Sequence, residues 1–190
     1  MRLLSQLLWL AVPVSLCGLV HLAVLKRDWL PALRRAPLDF GATWRGHRVF
    51  GANKTWRGAV VMIGGCAAFA ACFGWLDARV LQLPPAIPFA AQHPLAWGAL
   101  LGLGYIVGEL PNSFLKRQLD IGPGAAGVGL SGRVFWVIDQ LDSLAGILLC
   151  VLPVWQPSLA LVAVGVTLML VLHPVSAWIM VLAGLKDRVG

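Results

Sequence analysis

Of the chain's 190 residues, 59% are hydrophobic and 12% charged, and the mean hydropathy of +0.81 lies far outside the range of water-soluble globular domains. The net charge of +7 is not the diffuse basic surface that nucleic acid favours, because thirteen of the fifteen Lys and Arg fall in segments that one topology places on a single side of a membrane. Composition therefore predicts an all-α, polytopic protein of the lipid bilayer, the cell's inner membrane, organised as one domain over residues 1–190.

A hydrocarbon core of roughly 30 Å takes about 20 mostly apolar residues to cross. Leu3 to Leu25 is the first such segment. Its apolar run is too long for a signal peptide, it has no small-x-small cleavage site, and Leu16 before Cys17 is too bulky for lipoprotein processing, so it reads as a retained span. A basic loop follows, carrying Lys26, Arg27, Arg34, Arg35, Arg45, Arg48, Lys54 and Arg57, in which the word Thr-Trp-Arg-Gly occurs at Thr43 to Gly46 and again at Thr55 to Gly58. Two copies of so short a word do not make a repeat architecture. The second span is Ala59 to Leu81. After it, Leu83 to Pro94 holds four prolines and no charge, which predicts an extended, interfacial outer loop.

Pro94 to Leu110 is the third predicted span, Val134 to Leu152 the fourth and Ser158 to Leu182 the fifth. Between the third and fourth lies a glycine-rich stretch, Ile121 to Gly132, expected to be a mobile connection. Cations decide the orientation, since Lys and Arg are retained in the cytoplasm. Only Arg2 and Arg79 fall outside the first loop, the third loop (Lys116, Arg117, Arg133) and the tail (Lys186, Arg188). Five spans then put the amino terminus outside and the carboxyl terminus inside, with the polar site on the cytoplasmic side. The four cysteines lie in apolar segments without metal-ligand spacing and are expected to pack rather than to pair. His173, beside Pro174, reads as a backbone-bonded helix residue.

Three acids sit where the sequence otherwise reads as membrane: Glu109 in the third span and Asp139 and Asp142 in the fourth. Hydrocarbon solvates charge so poorly that such groups mark sites, and something must compensate them. On a helix continued past Gly108, Glu109 shares a face with Asn112, Ser113, Lys116 and Arg117, while Asp139 and Asp142, three apart, share a face of theirs. Carboxylates with hydroxyl and amide oxygens nearby are hard ligands suited to Mg²⁺. The alternative is that the acids only form ion pairs with Lys116, Arg117 or Arg133. In Phe50 to Gly58, glycines with Lys54 and Arg57 have the ingredients of a phosphate clamp at a helix amino terminus, although the Walker spacing is absent and a headgroup-binding interfacial patch would use the same residues. No Ser-His-Asp set, Cys-His pair or HExxH motif is visible, which suits a substrate phosphate that brings its own nucleophile.

The ordered set Asn53-Lys54-Thr55-Trp56-Arg57-Gly58, Gly108-Glu109-x3-Ser113-x2-Lys116-Arg117 and Asp139-Gln140-Leu141-Asp142 resembles the signature of the CTP-dependent lipid cytidylyltransferases. It looks most like the CDP-archaeol synthase branch and spans about residues 37–144. The resemblance implies transfer of CMP from CTP to a dialkyl- or diacylglycerol phosphate, giving a CDP-lipid and pyrophosphate for phospholipid biosynthesis. It implies Mg²⁺ on Glu109, Asp139 and Asp142, nucleotide contacts from Asn53, Lys54, Thr55 and Arg57, and Lys116, Arg117 and Ser113 at the reacting phosphates. CTP, the membrane lipid phosphate and the bilayer are the implied partners, nucleic acid is not among them, and a homodimer is compatible with the class. The family pattern has Asp where this chain has Glu109, which displaces a carboxylate by one methylene. Two other readings remain open at this stage: a non-catalytic lipid-binding descendant of the family, and a small cation-transporter subunit.

Overall fold

The computed structural model describes residues 1–125, 127–182 and 184. Its helices are α1 (Arg2–Lys26), α2 (Pro31–Arg34), α3 (Trp56–Leu76, prolonged by a π turn over Asp77–Leu81), α4 (Pro88–Gln92), α5 (Pro94–Gln118), α6 (Gly129–Val151) and α7 (Leu159–Leu182). A minimal antiparallel hairpin, β1 (Thr43–Trp44) with β2 (His47–Arg48), stands in the first loop. Helix is what such apolar runs must form, because hydrocarbon offers the backbone no partner but itself. Proline opens α2, α4 and α5, at the positions where its missing N–H costs no hydrogen bond.

Among the described residues, four helices are long and apolar enough to cross a membrane: Arg2–Lys26, Trp56–Leu81, Gly129–Val151 and Leu159–Ile179. Helix α5 has the same 25 residues as α1 but carries Glu109, Lys116 and Arg117 in its second half. The predicted third span stopped at Leu110; the helix runs on through Pro111 to Gln118. That extension puts Asn112, Ser113, Lys116 and Arg117 on one helix with Glu109.

Two glycine seams make α5 the centre of the bundle. Gly98 and Gly102 lie against the α3 backbone at Cys66–Ala67 and Met62–Ile63, and a Cβ on either would collide with main-chain atoms. Gly104 and Gly108 lie in the same way against α6, meeting Ile147 and the carbonyl of Asp142, with Gly146 reciprocating from α6. Lipid tails are as apolar as side chains, so helices associate in a membrane by such close backbone packing rather than by hydrophobic expulsion. The seams also fix register: with Gly108 on Asp142, the next turns of α5 face Asp139.

At the other end, Trp9, Phe73, Trp97 and Val151 form a buried apolar cluster, with Trp9 edge-on to Phe73 at 5.1 Å and Trp97 edge-on to Trp155 at 5.9 Å. Leu83 to Pro94 is extended only up to Ile87, after which Pro88–Gln92 forms α4. Ala86, Ile87 and Ala90 are buried in this cluster, and α4 closes it. Apolar side chains with no charge among them can join a core, and here they do. Cys17 and Cys66 are buried free thiols, and the Cys17 Sγ donates to the Val61 carbonyl at 3.3 Å, consistent with the expected packing role. Helix α7 packs on α6 and α1 and is otherwise exposed over most of its length. The side chain of His173, and Lys186 and Arg188, lie outside the described residues.

Candidate functional site

The first loop is folded rather than open. Leu38 N donates to the Lys54 carbonyl (2.8 Å) and Trp56 N to the Ala36 carbonyl (2.9 Å), so the chain ahead of α3 is pinned beside Pro37. Asp39 completes the closure. Its carboxylate accepts from Arg48 Nη2 (2.5 Å) and from the backbone amides of Gly41 (3.0 Å), Phe50 (3.0 Å) and Gly51 (3.2 Å). Burial by itself pushes that carboxyl up; the Arg48 guanidinium and the three amides outweigh it and hold the group at about 2.

This loop brings Asn53 and Lys54 to the rim of a cavity of about 610 Å³, whose other walls are the second half of α5, the first half of α6 and part of α7. The volume falls within the roughly 300–1,000 Å³ usual for small-molecule sites. Glu109, Asp139 and Asp142 all line it, together with Lys54, Lys116, Arg117 and Arg133. Lys54, 55 residues away in sequence, pairs with Glu109. Lys116 Nζ donates to both oxygens of Asp139 at 2.5 and 2.7 Å. Asn112 Nδ2 bridges the remaining pair, donating to Asp139 Oδ1 and to Asp142 Oδ2 at 2.7 Å each. Asp142 Oδ1 accepts from the Ser143 amide at 2.6 Å. The ion-pair alternative thus holds for Asp139, which takes Lys116, whereas Glu109 takes Lys54 and Asp142 is met by the neutral amides of Asn112 and Ser143.

The balance of donors and acceptors in this cavity is incomplete. Among the described residues, Asn112 Oδ1, Gln140 Oε1 and both Nε and Nη1 of Arg117 are buried without a hydrogen-bond partner. Asn112 is 6% and Arg117 8% exposed. Arg48 and Arg57 each leave a buried Nε unpaired among the described residues, but each commits an Nη to Asp39 or Asp28. Buried polar atoms are ordinarily paired, so a guanidinium and two amide oxygens lining one cavity unpaired are groups for a ligand to meet.

The structure brings together Asn53, Lys54, Glu109, Ser113, Lys116, Arg117, Asp139 and Asp142. Arg57 and Thr55 stand apart from them. Arg57 Nη1 donates to Asp28 Oδ1 at 2.8 Å and to the Trp29 carbonyl, tying α3 to the turn after α1, and Thr55 is the extended residue that precedes α3. Neither lines the cavity. Sequence reading missed Asp39, whose signal would have been its place as one of only two acids, with Asp28, in a loop of eight cations. It also named Asn112 only as a face-mate of Glu109, although this residue joins two of the three carboxylates.

The cavity's free acceptors are all oxygens, which is the donor chemistry Mg²⁺ requires. Among the described residues no three His, Cys, Asp or Glu groups are grouped closely enough to cage an ion, Glu109 being drawn to Lys54. Mg²⁺ seldom needs such a cage, since one or two carboxylates with substrate phosphates and water commonly complete its shell. Asp139 and Asp142, converging on a single amide nitrogen, fit that requirement.

Fold and cavity define an all-helical integral membrane protein with a mixed-charge site at one end of its helices. The sequence model of the CarS-like family, CDP-archaeol synthase, matches residues 32–189, and the chain belongs to that family. The chain is 40% identical over 95 residues to the CDP-archaeol synthase of Pyrococcus furiosus, covering 50% of this chain and 52% of that one. It is 33% identical over 143 residues to that of Thermococcus onnurineus (75% and 73%) and 32% over 155 residues to that of Methanosphaerula palustris (80% of each). The match thus spans about half the length of the Pyrococcus furiosus relative and more of the others. A solved structure described as an intramembrane enzyme for archaeal membrane lipids biosynthesis superposes with a TM-score of 0.50 over 84% of this chain and 89% of its own. At 23% identity, that likeness concerns the fold.

Proposed function

We propose that this chain transfers CMP from CTP to a membrane lipid phosphate, forming a CDP-lipid and pyrophosphate. The observation that carries the reading is the cavity itself, where carboxylates and cations from α5, α6 and the Asn53–Lys54 loop converge with an unpartnered Arg117. The relatives' name, CDP-archaeol synthase, supports a lipid phosphate of the dialkyl ether class as acceptor.

In this reading an oxygen of the lipid phosphate attacks the α-phosphorus of CTP in line. A phosphorus–oxygen bond forms, the α–β bridging bond breaks, and pyrophosphate leaves with the electron pair. No side-chain nucleophile is required, so the protein's work is alignment and charge neutralisation. Lys54, Lys116 and Arg117 meet the triphosphate, while Ser113 and Asn53 orient it. Asp139 and Asp142 are the residues that would hold Mg²⁺, which when bound would supply positive charge to the phosphates, while Glu109, expected from the sequence as a third ligand, stands paired with Lys54. Trp136, Val137, Pro174 and Ala177 line the α6–α7 side of the cavity, giving the acceptor's tails an apolar wall and its head Arg133. With α5 as a fifth span, the positive-inside rule puts this cavity on the cytoplasmic side, where CTP is found.

Purified protein in lipid or detergent with Mg²⁺, labelled CTP and a panel of dialkyl- and diacylglycerol phosphates tests the proposal. A labelled CDP-lipid is expected, with the dialkyl acceptor preferred. Failure to convert any lipid phosphate in the panel would overturn the reaction, and a preference for diacyl acceptors would overturn the ether assignment alone.

A further inference from the structure

We infer that Asp39, which does not line the cavity, is a positioning residue for the nucleotide-binding half of the site, an inference that rests on the proposed reaction. Its side chain is fully enclosed and takes four donors, two of them the consecutive amides of Phe50 and Gly51. Those amides are thereby turned inward, and the direction of the chain from Gly51 into Asn53 and Lys54 is set. Gly51 has φ +92°, a conformation other residues seldom adopt, and its Cα faces the Arg117 stem so closely that a Cβ would lie 3.2 Å from Arg117 Cδ and 3.3 Å from Nε. The same Cβ would lie 3.3 Å from Asn53 Oδ1. One buried carboxylate therefore fixes a backbone segment that packs on Arg117 and ends in Lys54. The Lys54 amide itself donates back to the Gly51 carbonyl at 3.3 Å.

Through this chain of contacts Asp39 governs two cations on the nucleotide side and none on the α6–α7 side. Among the described residues, the hydrogen bonds of Asp39 run to Gly41, Arg48, Phe50 and Gly51, and none runs to Arg133 or to α6 and α7. Loss of the Asp39 charge should therefore weaken CTP and leave the lipid acceptor alone. A residue that merely stabilised the fold would weaken both.

The test compares wild type with Asp39→Asn and Asp39→Glu by calorimetric titration of CTP without lipid, together with separate KM values for CTP and for lipid phosphate. Asp39→Asn is expected to raise the CTP Kd and KM about tenfold, with the lipid KM within about twofold and kcat changed less than either CTP constant. Asp39→Glu, which keeps the charge, should recover part of the loss. Should Asp39→Asn fail to fold, Arg48→Gln, which removes one of the four donors, should show the same split at smaller size. An unchanged CTP Kd in a folded variant, or equal increases in both KM values, would overturn the inference. Wild type that binds CTP but makes no CDP-lipid would overturn the reaction and leave the Kd comparison to judge Asp39; wild type that does not bind CTP would overturn both.

Discussion

The two ends of the helical bundle each hold carboxylate with nitrogen donors around it, yet the arrangements differ. At the α4 end, Asp77 Oδ2 accepts from Trp9 Nε1 at 3.0 Å and Oδ1 from the Leu83 amide at 2.9 Å, while Trp97 Nε1 is taken up by the Trp9 carbonyl at 3.0 Å. Each of those atoms has its partner, and the partners are neutral groups of the fold itself. At the cavity end, three carboxylates meet two lysines and the amides of Asn112 and Ser143, and among the described residues Asn112 Oδ1, Gln140 Oε1 and the Nε and Nη1 of Arg117 find nothing. The first is a staple between α1, α3 and the loop to α4. The second is a set of charges whose balance awaits a polyanion. Burial of an acid is thus a poor guide to its role, whereas the bookkeeping of its neighbours separates the two cases.

The comparison breaks most visibly at Asp142. Asp142→Asn keeps the shape of the side chain and removes one charge from the crowd, so CDP-lipid formation should fall on the order of 10²–10³-fold, the scale on which lost electrostatic stabilisation is usually felt. Thermal stability measured on the same sample should be unchanged or higher, because like charges are relieved. Equal losses of activity and stability would make Asp142 a staple like Asp77. The reverse pattern is expected at Asp77. Asp77→Ala strands the buried indole N–H of Trp9 and should lower unfolding stability by about 1–3 kcal/mol, read by thermal melting, with turnover per folded molecule unaltered.

The smallest effect concerns pH. A carboxyl held at about 2, against an ordinary value near 3.9, stabilises the folded loop wherever the unfolded group would also be ionised, and that contribution drains away as pH falls toward and through the folded value. Hydrogen-exchange protection of the Phe50 and Gly51 amides should accordingly be flat from pH 7 to about 4.5 and decline between about 4 and 2. Protection that already fails near pH 6 would assign the loop's order to some other group.

Much of this was legible in the sequence because it obeys a period. Glu109, Asn112, Ser113 and Lys116 recur at helical spacing, as do Asp139 and Asp142, so the face they share could be read without coordinates, and the CDP-archaeol synthase resemblance followed from the same words. What escaped depends on partners far along the chain. Nothing local says that Lys54 reaches Glu109 or that Arg57 turns to Asp28. The two copies of Thr-Trp-Arg-Gly show the limit plainly: Thr43 to Gly46 bends into a hairpin with Arg45 and Gly46 at positive φ, whereas Thr55 to Gly58 opens α3. The second copy leads into the uncharged, mostly apolar run Ala59 to Leu76 and the first does not, and that context decides. The prolines of Leu83 to Pro94 misled for a related reason, since they announce a break in helix but say nothing of whether the residues between them are buried.

The glycine seam between α5 and α6 has a consequence for how this chain can change length. Adding one residue between Gly104 and Asn112 would swing everything beyond it by about 100° and carry Lys116 out of phase with Asp139. Residues added between Gly122 and Gly127, past the end of α5, would leave that phase intact. Lineages and designs alike are therefore free to lengthen the connection and bound to count every step along the helix.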